Sequence, residues 1–164
     1  YLASFSLALR LDRDSLKLLD DWLFRYGGHL LPWSRRLNAR FVLPAVRDHE
    51  PDWIGAYHGL NVINDIGIFV GDYIITGNPD VYWDVYYGNG TKRDYEEMGF
   101  GQPCLYGLGH MLSGEPYPIL GSAEIYECCH AGWTRLKGES EVFWTRGELM
   151  RRVNYLSEKH LITE

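Results

Sequence analysis

Residues 53–75, WIGAYHGLNVINDIGIFVGDYII, hold the longest run of one consistent period and constrain the fold most. On a helical wheel at about 100° per residue, Ala56, Leu60, Val62, Ile63, Ile66, Phe69, Val70, Tyr73 and Ile74 cover more than half the circumference. A helix apolar over so wide an arc has neighbours on several sides. The sequence therefore predicts a central, mostly buried helix covered by the flanking segments. Gly55, Gly59, Gly67 and Gly71 form a slowly winding row along it. Each costs about 1 kcal/mol relative to alanine in a helix interior, and the return is close approach of another backbone. The alternative is a helix broken near Gly67 or Gly71.

The run is long enough to cross a bilayer, and small residues at this spacing occur in membrane helices. Asp65 near its centre argues against a span, because aspartate at bilayer depth costs about 2.5–3.5 kcal/mol on insertion scales. Asp72, Asn61, Asn64 and His58 add to that penalty, and no basic cluster flanks the run. No membrane association is expected.

A chain of 164 residues supports one domain with a sizeable core, so residues 1–164 read as a single unit. The net charge of −6 disfavours nonspecific nucleic-acid binding, which depends on Lys and Arg at phosphates. It suits a steered encounter with a basic protein partner. Three cysteines, of which Cys128 and Cys129 are adjacent, do not make a disulfide framework. A reducing compartment, the cytoplasm, is the simpler expectation. The chain shows no signal-peptide pattern and begins at Tyr1, as a piece cut from a longer protein would.

Residues 4–11 alternate, with Phe5, Leu7, Leu9 and Leu11 on one side, which predicts a strand. Asp12 and Asp14 then offer N-caps. Leu16, Leu19, Trp22, Leu23 and Tyr26 mark a helical face that Gly27-Gly28 stops. A short helix is expected around Arg35, Arg36 and Arg40, and Pro51 suits the first position of the central helix. Residues 81–87, VYWDVYY, read as a strand with Val81, Trp83, Val85 and Tyr87 toward the core. Residues 104–108 read as its antiparallel partner. Ser122 is expected to cap a helix whose inner face carries Ile125, Cys128, Cys129, Gly132 and Trp133. Residues 141–144 suit a short strand. Thr145 and Glu148 have capping-box spacing before a last helix with Leu149, Val153 and Leu156 inward. The fold class is α+β, a central glycine-containing helix packed with other helices against a small antiparallel sheet.

Four groups of residues are candidates for function. The first is the polar seam of the central helix, His58, Asn61, Asp65 and Asp72. Asp65 and Asp72 are seven residues apart, about 10 Å along the axis, too far to act directly on one metal ion. The seam is either a hydrogen-bonded edge of a core helix or a ligand groove. The second is Cys128-Cys129-His130, with Cys104 and His110 elsewhere. Adjacent cysteines diverge by about 100° on a helix, unlike the separated ligands zinc prefers, so buried structural cysteines are expected and no metal or cofactor is assigned. The third group, Gly99-Phe100-Gly101, Gly107-Leu108-Gly109 and Gly121-Ser122, lacks the strand–loop–helix setting of a phosphate cradle. The fourth is the aromatic hairpin. If Val81 and Trp83 face inward, Tyr82, Asp84 and Tyr86 face outward, followed by Tyr95 and Glu96 in a polar loop. Rigid rings beside carboxylates make a recognition patch selective for a basic partner; the ordinary alternative is a covered or merely solvated sheet face.

Gly71-Asp72-Tyr73-Ile74-Ile75, then Trp83, then Gln102-Pro103-Cys104-Leu105-Tyr106-Gly107, resembles in its order a group of uncharacterised bacterial α+β domains. In these a helix ending in a Gly-acid motif precedes a Trp-bearing strand and a proline-marked strand. Small acidic, aromatic-rich domains of this kind are also similar to immunity proteins of bacterial toxin systems. The resemblance covers residues 50–110 at most and implies no catalytic residues. The expectation is a non-enzymatic interaction domain, an immunity-type inhibitor or a subunit of a bacterial assembly. The rivals are a hydrolase or small-ligand-binding domain using the seam, and a structural protein that oligomerises through the glycine row.

Overall fold

The computed structural model describes residues 2–31, 58–88, 101–109, 118–138 and 146–158. Along the chain come a 3-10 turn (Leu2–Phe5), α1 (Arg13–Tyr26), a second 3-10 turn (Gly27–His29), α2 (His58–Gly77), β1 (Tyr82–Val85), β2 (Pro103–Tyr106), α3 (Gly121–Leu136) and α4 (Glu148–Glu158). This is the α+β arrangement expected, helices with one small antiparallel sheet. The expected helix around Arg35 to Arg40, the Pro51 helix start and the 141–144 strand lie outside the described residues.

Helix α2 runs without a break through Gly67 and Gly71. It buries Leu60, Val62, Ile63, Ile66, Val70 and Ile74, while Phe69 and Tyr73 pack at the margin of the same core. Its most extensive helix partner is α3. No helix among the described residues is long and apolar enough to cross a membrane.

The glycine row admits neighbours, as its spacing predicts. Gly59 lies under the Leu30 carbonyl, Gly67 against the start of α3, and Gly71 beneath the Trp83 ring, while Gly55 is outside the described residues. At Gly67 the fit is backbone to backbone. A Cβ there would sit 2.6 Å from Ser122 N and 2.8 Å from Ser122 Cα, and a Cβ on Gly121 would sit 2.7 Å from Gly67 O. Gly121 is therefore the first residue of α3, with Leu120 at the cap position and no side-chain cap bond. Ser122 is not a cap; it is buried inside the first turn.

The Gly27-Gly28 pair marks the end of α1, but for another reason than the one expected. Gly27 has φ −55°, an ordinary right-handed value, so no left-handed stop forms. The requirement is closeness, since a Cβ on Gly28 would lie 2.5 Å from the Gly132 carbonyl carbon. At the other end of α1, Asp12 caps as expected, accepting from Ser15 N at 2.8 Å.

Residues 4–11 do not form a strand. The chain makes a 3-10 turn and reverses at Ser6, whose φ is +59°. Phe5 packs edge-on against Trp22 at 5.4 Å, and Leu7 and Leu9 rest on the core. The alternation is genuine, but helices rather than a neighbouring strand satisfy it.

In the sheet, Tyr82 pairs with Tyr106, Trp83 with Leu105, Asp84 with Cys104 and Val85 with Pro103. On the other edge of β2, Leu105 and Ile119 exchange backbone hydrogen bonds of 2.8 and 2.9 Å. Val81 is buried and Trp83 half-buried over α2, but Val85 and Tyr87 are exposed, contrary to the inward face expected for all four. The strand ends at Val85, where the alternation that buries Val81 no longer meets the core.

Helix α4 presents Leu149, Val153 and Leu156 to the core. It begins at Glu148, so the Thr145–Glu148 capping box does not describe its start, and Thr145 lies outside the described residues. The cap comes from α1. Buried Asp20 accepts from Gly147 N at 2.8 Å and Leu149 N at 2.7 Å.

Candidate functional site

The hairpin that follows α2 is fixed by one polar contact. Trp83 lies over Gly71, and its indole Nε1 donates to Asp72 Oδ1 at 2.8 Å. With Trp83 held down on α2, alternation turns Tyr82 and Asp84 to the opposite face. Tyr82 is 52% exposed and stacks on its cross-strand partner Tyr106, with ring centroids 5.9 Å apart and 18° between the planes. Asp84 is exposed, and its Oδ1 accepts from Val85 N at 2.7 Å. That bond fixes the carboxylate and occupies an N–H of β1. Tyr86 is half-buried, and Tyr95 and Glu96 lie outside the described residues.

The polarity of this face is uneven. Cys104, opposite Asp84, is buried, and burial pushes its thiol up to about 11. Burial also raises the Tyr106 hydroxyl, with Cys104, Asp84 and Tyr82 adding to the effect. Residues 58–88 and 101–109 hold Asp65, Asp72, Asp80 and Asp84 and no Lys or Arg. Cations gather at the far end of α3. There Arg135 stacks on Phe24 at 4.2 Å and donates to Phe24 O, and Lys137 lies 3.5 Å over Trp133. Because Ile119, just before α3, pairs with β2, the helix separates the acidic and basic ends by about 24 Å, its 16 residues at 1.5 Å each.

The seam residues have different surroundings. His58 and Asn61 are half-buried, and Asp72 is engaged by Trp83. Asp65 is exposed at the rim of an open groove of about 330 Å³. Leu7 and Leu9 wall that groove on one side and Val62 and Phe69 on the other. Burial raises the Asp65 carboxyl above its ordinary value.

Cys128 and Cys129 are free and buried on the inner face of α3, and burial drives both thiols far up. His130 leaves that face and sits between the Tyr126 and Trp133 rings, at 6.0 and 5.6 Å. Among the described residues no group of three or more His, Cys, Asp or Glu is placed to hold a metal ion.

Sequence reasoning singled out Tyr82 and Asp84 but missed Tyr106, whose role depends on the strand register. It also missed the Asp65 groove, because its second wall comes from the segment read as a strand. No family model, curated protein or solved structure matches the chain.

Proposed function

We propose that this chain is a non-enzymatic protein-interaction domain, an immunity-type inhibitor or a subunit of a bacterial assembly, that binds a basic partner through its hairpin. The observation that carries the reading is the exposed Tyr82, stacked on Tyr106 beside Asp84, where the described residues 58–88 and 101–109 hold four aspartates and no Lys or Arg. Exposed, rigid tyrosines contribute contact area at little entropic cost, and uncompensated carboxylates select a cationic partner. The three free, buried thiols fit a reducing compartment, and the proposal places the domain in the cytoplasm. The test is a pull-down against the products of neighbouring genes with the double variant Tyr82→Ser, Asp84→Lys. Loss of a basic partner that the unaltered protein captures supports the reading; undiminished capture removes the hairpin from it.

One observation favours a second reading. The groove beside Asp65 is apolar, carries one carboxylate and has the volume of a small-ligand site. On that reading the domain binds a small ligand or hydrolyses one there. A thermal-shift screen with and without Asp65→Asn tests it, and a screen with no hit that Asp65→Asn weakens discards it.

A further inference from the structure

We propose that the hairpin is an arginine-recognition site, in which a partner's guanidinium stacks on the Tyr82 ring and donates to the Asp84 carboxylate. The proposal rests on the hairpin reading above and names the chemistry of its anchor.

Tyr82 and Asp84 are two residues apart on one face of β1, so their Cα atoms are about 6.6 Å apart. One face of the Tyr82 ring lies on Tyr106, and the half-exposed ring offers its other face to solvent. A guanidinium stacks within about 6 Å of a ring centroid, and from there its N–H groups reach a carboxylate one side-chain position along the strand. Asp84 is already held, because its Oδ1 accepts from Val85 N. Oδ2 is left for an incoming donor, with little rotamer freedom to lose on binding. Among the described residues no Lys or Arg forms an ion pair with Asp84.

The occupant is an arginine rather than a lysine because the site asks for two things at once, a flat cation for the ring and directed donors for the carboxylate. Addition of a partner strand to β1 fits less well. The Val85 N–H that such a strand would use is satisfied by Asp84.

The probes are acetyl-Gly-Gly-Arg-Gly-Gly-amide and its lysine and citrulline counterparts, titrated into isotope-labelled protein and followed by backbone amide shifts. The arginine peptide should shift residues 82–85 and 103–106. It should bind about threefold tighter than the lysine peptide and about tenfold tighter than the citrulline peptide, which keeps the shape and loses the charge. Tyr82→Leu and Asp84→Asn should each weaken it about tenfold, with the rest of the amide spectrum unchanged. Citrulline binding equal to arginine, shifts that map elsewhere, or unaffected variants would overturn the assignment. If the arginine peptide fails while Tyr82→Ser, Asp84→Lys still abolishes partner capture, the hairpin reading stands and the arginine anchor falls. If the peptide binds and capture is untouched, the anchor stands and the hairpin reading falls.

Discussion

Asp20 sits on α1, yet its carboxylate satisfies two backbone N–H groups at the start of α4. Asp20→Ala leaves those donors without their acceptor in a buried setting, and urea unfolding should show a loss of about 2 kcal/mol. The amides of α4 should also exchange faster than those of α2. Gly67→Ala acts at a different contact, where the new methyl meets Ser122 backbone. A rigid backbone cannot yield as a side-chain tip can, so the same assay should show a loss of about 2–3 kcal/mol. Neither effect was fully legible in the sequence. The glycine row announced a close approach but not its partner. The Thr145–Glu148 pattern pointed to a local cap, whereas the acceptor comes from a residue 127 positions away from Gly147. Local motifs are readable because they lie within a few residues; a cap supplied by another helix is set by packing.

At the scale of elements, α1, α3 and α4 were legible because each carries one apolar stripe at helical spacing, and their inner residues are those expected except Tyr26, which the last turn of α1 leaves exposed. The N-terminal segment was misread because Leu7 and Leu9 meet the core as alternating residues of an extended chain without a strand beside them. The hairpin was recognised, but its register was not, since residues 86–102 separate the strands and no short turn fixes the pairing. Helix α4 is also tied by charge, through Arg146 with Asp21 and through Arg152 with Glu124 and Glu148. The Arg146 hydrogen bonds hold the Asp21 carboxyl below its ordinary value of 3.8. A depressed folded value adds stability above pH 3.8 that is lost as the pH falls through the lower folded value. The protection of α4 amides against exchange, relative to their intrinsic rates, should therefore fall at acid pH, and Arg146→Gln should remove this part of the pH dependence. Asp65 has the opposite sign. Its raised carboxyl opposes folding when ionised and stops doing so as the pH falls through the folded value. Asp65→Asn should match or slightly exceed the unaltered protein at neutral pH, by less than about 0.5 kcal/mol, and converge with it in acid.

Over the whole molecule, the buried core and the charged ends divide the labour. Cys104, Cys128 and Cys129 are sealed in, with thiols raised by burial. A thiol reagent at pH 8 should therefore react only as the protein unfolds, with a rate that follows denaturant concentration. Among the described residues, 58–88 and 101–109 carry aspartates and no Lys or Arg, whereas Arg135 and Lys137 lie at the far end of α3. Net charge pointed to a basic partner without placing it; among the described residues, Asp65, Asp72, Asp80 and Asp84 form no ion pair with Lys or Arg. Tyr82 and Asp84, which we propose as the partner-binding surface, are both exposed, so their replacement should leave the fold intact. The most direct test is affinity for a captured basic partner, measured alongside thermal unfolding for Tyr82→Ser, Asp84→Lys. Affinity should fall by about 30-fold or more, while the lost Tyr82–Tyr106 stacking and Asp84–Val85 hydrogen bond should cost no more than about 2 kcal/mol of stability. Unchanged affinity in a variant that folds normally would contradict the proposed surface.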